Sequence, residues 1–151
     1  METNSTKNTA ALIHLSTLSQ YVIPFGNYIF PIVIWSSSKD KSVFIDTQGK
    51  RAINFQLSLF LYSIVLALIA FPILFVTVFK NLSLHSLVNG DDWIIENFSL
   101  ANITGIVAVA AFAGLLFCAL KVAEFFLVIY ASVKSSNGED FNYPFTIPFI
   151  K

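Results

Sequence analysis

The sequence predicts an all-α integral membrane protein with three transmembrane helical segments, the first of them broken. Three observations predict it. Residues 8–38, 52–79 and 97–120 contain no Asp, Glu, Lys or Arg. The chain is 56% apolar and only 12% charged, with 16 Phe among 151 residues, whereas soluble domains carry about 25% charged residues. The most regular run, Ala52–Phe79, would make a helix of roughly 42 Å, longer than the ~30 Å hydrocarbon core of a bilayer.

The length gives room for one domain, 1–151. A formal net charge of zero offers no footprint for nucleic acid. Cys118 is the single cysteine and lies in an apolar run, so no internal disulfide can form. The first eleven residues are polar and lack a basic cluster, which argues against a cleavable signal peptide.

The first segment, about 10–36, is interrupted by Pro24, Gly26, Asn27 and Pro31. A proline removes an N–H and clashes with the carbonyl four residues back. Two helical pieces are expected, near Ala10–Val22 and Tyr28–Ser36, which either cross once or dip in and return. A polar loop, 37–51, carries Lys39, Lys41, Lys50 and Arg51, with Asp46 or Thr47 placed to cap the next helix. The second span, about 52–79, contains Pro72 and exits at Lys80 and Asn81. The 80–102 loop is acidic. Its Asn89-Gly90 turn signal and Trp93 suggest an interfacial helix lying on the bilayer. The third span is expected over about 103–133, and Asn137-Gly138 ends it. In the tail, 134–151, Pro144 and Pro148 keep the chain extended. Four Lys and Arg in 37–51 against one in 80–102 put the first loop and the C-terminus in the cytoplasm and 80–102 outside. This fits a bacterial cytoplasmic membrane.

Several polar residues fall where lipid or packing should exclude them. Lys121 and Glu124 lie inside the third span, three residues apart and so on one face. A charge there costs at least about 2.5 kcal/mol. They form either a self-paired couple, a snorkelling lysine, a relay or a bridge to another helix. Asn54 and Gln56, at the wet end of the second span, are suited to interhelical hydrogen bonds. His14 has no partner at ligand spacing and makes no metal site. His85 with Asp91, Asp92 and Glu96 reads as a solvated acidic face. Ala110, Gly114 and Cys118 recur every four residues, a small-residue stripe that admits a second helix. Lys39, Lys41, Lys50 and Arg51 serve orientation or hold anionic lipid headgroups. Gly49-Lys50 lacks the first Gly and the Ser/Thr of a phosphate-binding loop. No nucleophile–base set is present, so neither an enzyme nor a cofactor is expected.

The landmarks His14-Leu15-Ser16, Pro24, Gly26, Pro31, Ile34-Trp35, Asp46, Gly49-Lys50, Asn54-Phe55-Gln56, Gly138-Glu139 and Tyr143-Pro144-Phe145-Thr146-Ile147 run through the whole chain. Together they resemble a family of small prokaryotic multi-pass membrane proteins of unknown function. That family is similar to the twenty-kilodalton component of the chloroplast inner-envelope protein-import translocon. The resemblance implies a helical multi-pass protein. With the small-residue stripe and the charge pair, it leads to the expectation of a non-enzymatic subunit of a larger membrane complex, in protein translocation or membrane-protein biogenesis. Its partners would be membrane lipids and a larger integral membrane protein. The alternative is a small homo-oligomeric channel or transporter with a polar path near Lys121 and Glu124.

Overall fold

The computed structural model describes residues 2–81 and 100–151. The expected interfacial helix, the Asn89-Gly90 turn and the acidic group His85, Asp91, Asp92 and Glu96 lie outside these residues. Among the described residues every regular element is helical. They are α1 (Asn4–Ser16), a 3₁₀ turn (Thr17–Tyr21), α2 (Gly26–Ser38), a 3₁₀ turn (Lys39–Lys41), α3 (Val43–Asn81) and α4 (Leu100–Ser136). The chain forms two units, Met1–Leu61 with Leu120–Lys151, and Tyr62–Ala119.

The first segment folds back on itself. Its break begins at Ser16, well before Pro24. The hydroxyls of Ser16, Thr17 and Ser19 each bond a carbonyl three residues back, at 2.7, 2.8 and 2.6 Å, and such bonds compete with the α-helical ladder. The chain tightens to 3₁₀ and then turns through Phe25, whose φ is 61°. The second piece, expected near Tyr28–Ser36, is α2, and Pro31 sits inside it without interrupting it. After α2 the chain returns to its start, where the Ser42 hydroxyl donates to the Glu2 carboxylate at 3.1 Å. Each 13-residue helix is about 20 Å long, too short to cross a bilayer alone. The first segment is thus a hairpin, and among the described residues two helices are long and apolar enough to span, within Val43–Val76 and Val107–Ser136; the expected third span is not confirmed.

α3 starts nine residues earlier than expected. Ser42 caps it, its hydroxyl accepting from the Phe44 N–H at 3.1 Å, so neither Asp46 nor Thr47 is the cap. Most of the expected 37–51 loop is thus helical. Pro72 sits inside α3 without ending it. α4 ends at a left-handed Gly138 (φ 79°), with the Glu139 N–H reaching the Lys134 carbonyl at 3.0 Å and the Gly138 N–H reaching Ser135 at 3.0 Å. This is the Schellman pattern, in which glycine avoids a Cβ clash.

In the first unit, Phe55, Val128, Ala131 and Tyr143 form one apolar cluster and Ile13, Ile45 and Ala52 a second. Gly49 is buried because the Trp35 ring occupies the place of a side chain there. Ala10 and Ala11 of α1 are buried, and the Ala11 carbonyl accepts from Ser132 of α4 at 3.2 Å. In the second unit large apolar side chains point outward, Phe71 at 71% and Phe112 at 65% exposure. Such stretches are stable only where the solvent is hydrocarbon, and the chain is a membrane protein.

Candidate functional site

The polar side chains of the first unit fall into several hydrogen-bonded groups, the largest of them a network between α1, α3, the end of α4 and the tail. Its centre is Gln48, fully buried on α3. The Gln48 carbonyl oxygen accepts from His14 Nε2 at 3.1 Å and from the Ser135 hydroxyl at 3.4 Å. Its amide donates to Asp140 at 2.8 Å. These roles leave His14 Nδ1 as an acceptor, and the Tyr143 hydroxyl donates to it at 2.9 Å. Asp140 also pairs with Arg51 at 3.1 Å, and Arg51 donates to the Phe141 carbonyl at 3.2 Å. The line Tyr143–His14–Gln48–Asp140–Arg51 thus ties the tail to α1 and α3. Tyr143 also stacks on Phe55, with centroids 4.0 Å apart and planes 10° apart.

His14 is held neutral. Burial is the main cause pushing its pKa down to about 4; the bond to Gln48 opposes this and the Arg51 charge adds to it. Burial, with the Glu124 charge second, pushes the Tyr143 hydroxyl up. Neither group exchanges protons near neutral pH.

Asn54 holds the end of the tail. Its carbonyl oxygen accepts from the Ile150 N–H at 2.8 Å and its amide donates to the Ile150 carbonyl at 2.9 Å. One turn on, Ser58 donates to the Asn54 carbonyl at 2.7 Å and accepts from the Ile147 N–H at 2.9 Å. Gln56 accepts from Asn27 of α2 at 2.8 Å, while its own amide nitrogen is buried without a hydrogen-bond partner. Lys121 and Glu124 are paired at 2.9 Å, and Gln20 bridges them, donating to Glu124 at 2.7 Å and accepting from Lys121 at 3.0 Å. The couple is therefore joined to the turn after α1.

The basic residues separate into two groups. Lys50 pairs with Asp46 at 2.7 Å, and Arg51 is engaged by the tail. Lys39, Lys41, Lys50 and Lys151 line a cleft of about 630 Å³, in which Lys50 is the one paired with Asp46. The stripe Ala110, Gly114 and Cys118 is exposed, and a side chain added at Gly114 would meet nothing within 4 Å. The small residues that meet a neighbour are Ala131, Ser132 and Ser135 at the other end of α4.

Sequence reasoning missed Gln20, Gln48, Asp140 and Lys151 as partners. Gln48 was findable, because Ile45, Gln48, Ala52 and Phe55 follow helical spacing and form one buried face. Asp140 had no local signal, since Gln48 and Arg51 are about 90 residues away, and neither had Lys151, which lines a cleft with residues about 100 or more positions earlier.

A family model described as the magnetosome magnetite crystal formation protein family matches residues 5–150. No curated protein and no solved structure matches. The match overturns the resemblance to the chloroplast import component, and with it the expected role in translocation or membrane-protein biogenesis. The alternative of a channel or transporter has no support either. Of the landmarks that carried the resemblance, His14 and Tyr143 belong to the Gln48 network, Asn54 holds the tail and Gln56 holds α2. They describe how the helices and tail are fastened, and a packing scheme does not specify a function.

Proposed function

Because the chain belongs to the magnetosome magnetite crystal formation protein family, we propose that it is an integral protein of the membrane around a growing magnetite crystal, and that it influences crystal formation without catalysing a reaction. The observation that carries this reading is the extent of the match, which takes in the hairpin, both long helices and the tail. The non-catalytic part of this reading rests on the sequence, which holds no nucleophile–base set; His14, Asp140 and Arg51 fasten the tail, and Lys121 and Glu124 pair with each other and Gln20.

In this reading α3 and α4 cross the bilayer and the α1–α2 hairpin does not. Both chain ends then share one side, and the basic residues around 39–51 make that side cytoplasmic. The acidic segment between the two crossings faces the opposite compartment. A larger membrane partner would find the exposed stripe Ala110, Gly114 and Cys118 available.

The test is deletion of the gene in a magnetite-forming cell that has no second copy, followed by electron microscopy of the crystals and fractionation of the tagged protein. Crystals altered in size or number, restored by the intact gene, and the protein recovered with the crystal-bearing membranes are expected. Unchanged crystals, or a protein absent from those membranes, would overturn the reading.

A further inference from the structure

The cleft at the start of α3 is assembled from two stretches about 100 residues apart: 35–50, which runs from the end of α2 into the first turns of α3, and the end of the tail. Its volume of about 630 Å³ is within the roughly 300–1,000 Å³ typical of small-molecule sites. Four lysines and two aspartates line it. Asp46 is already taken, accepting from Trp35 Nε1 at 2.9 Å and pairing with Lys50 at 2.7 Å. That leaves Lys39, Lys41 and Lys151 facing Asp40. A positive surplus remains even when the carboxyl group of Lys151 is counted.

Two further features point to an anion. The first turn of α3 lines the cleft, and a helix start carries partial positive charge from its N–H groups. Lys151 does not arrive by chance, because the two bonds from buried Asn54 to Ile150 fix the residue before it. The Lys39 ammonium sits 5.5 Å from the centre of the Trp35 ring, which gives the cleft an aromatic wall.

We propose that this cleft binds a phosphate-bearing anion, held by Lys39, Lys41 and Lys151 against Trp35. The cleft lies at the start of α3, two to three turns before the charge-free run that begins at Ala52, and its lining includes Val43, which is 83% exposed. Tryptophan and lysine at that level are the interfacial pair. The phosphate of an anionic lipid headgroup therefore fits the position, and free phosphate offers the same chemistry. The proposal rests on the membrane assignment and is independent of any role in crystal growth. It also separates Lys39 and Lys41 from Lys50 and Arg51, which carry internal partners.

The experiment uses the full chain in phosphatidylcholine nanodiscs with Trp93→Phe, so that Trp35 is the single tryptophan. A small fraction of brominated phosphatidylglycerol is compared with an equal fraction of brominated phosphatidylcholine as quencher. Several-fold stronger quenching by the anionic lipid is expected. Lys39→Gln, Lys41→Gln and Lys151→Gln should each weaken that preference about three- to fivefold. Lys134→Gln, which removes one charge outside the cleft, should leave it unchanged. In a second arm, inorganic phosphate is titrated into phosphatidylcholine discs. A Trp35 response that the same three variants abolish, without lipid preference, would assign the cleft to free phosphate. No response in either arm, or equal loss with Lys134→Gln, would overturn the proposal.

Discussion

His14 is the residue on which the network is most sensitive to chemistry. Its ring is fully buried between an amide oxygen and a phenol hydroxyl, and it stays neutral down to about pH 4. The unfolded chain protonates the same ring near 6.5. Between those values the unfolded state binds more protons, so the contribution of His14 to stability falls as pH drops from 6.5 toward 4 and is constant above that window. The loss attributable to His14 is up to about 3 kcal/mol, and His14→Gln should flatten the curve when unfolding in detergent is followed against pH. Tyr143→Phe keeps the stack on Phe55 but leaves His14 Nδ1 unpaired. It should cost about 1–3 kcal/mol, read as a lowered midpoint in the same assay. Glu124 is fully buried and its ammonium partner is one-third exposed. Lys121→Leu alone should destabilise more than Lys121→Leu with Glu124→Leu, because the single change leaves a carboxylate without its cation. A double-mutant cycle checks this.

At the scale of elements, hydroxyl groups and glycines set where helices begin, end and approach. Ser42 starts α3 and also holds Glu2, so it joins the first helix to the third. Ser42→Ala should lose about 1 kcal/mol and loosen the N-terminal residues, visible as faster amide exchange at 2–6. Gly138 ends α4 with a positive φ, and a methyl group there would also press on Lys7. Gly138→Ala should cost about 1 kcal/mol in the detergent unfolding assay. The two long helices were legible because a charge-free run is a direct statement about solvent. Their ends were less so. Propensity placed the break at Pro24 and Pro31, whereas the local bonds of Ser16, Thr17 and Ser19 begin it earlier, and Pro31 is accommodated within α2.

For the molecule as a whole the consequence is topological. The hairpin brings the start of α1 to Ser42, and the tail returns to α1 and α3 through Tyr143, Asp140 and Ile150. Under the proposed topology residues 4, 40 and 142 lie on one side of the membrane. Single cysteines at Asn4, Asp40 and Asn142, in a Cys118→Ala background, should all react with an impermeant thiol reagent from the same face of oriented vesicles. Labelling of Asn4 from the face opposite to Asp40 would restore a crossing to the first segment.

The sequence alone determined the solvent of this protein, the existence of its two long helices and the unusual positions of His14, Asn54, Gln56, Lys121 and Glu124. These properties are written in composition and period, which act over a few turns of chain. Only the tertiary structure decided that the first segment returns, that Gln48 joins His14 to Asp140, and that Lys151 sits with Lys39 and Lys41. Those are pairings across roughly 30 to 110 residues. A buried polar atom needs a partner, but nothing in its own neighbourhood says which distant residue supplies it.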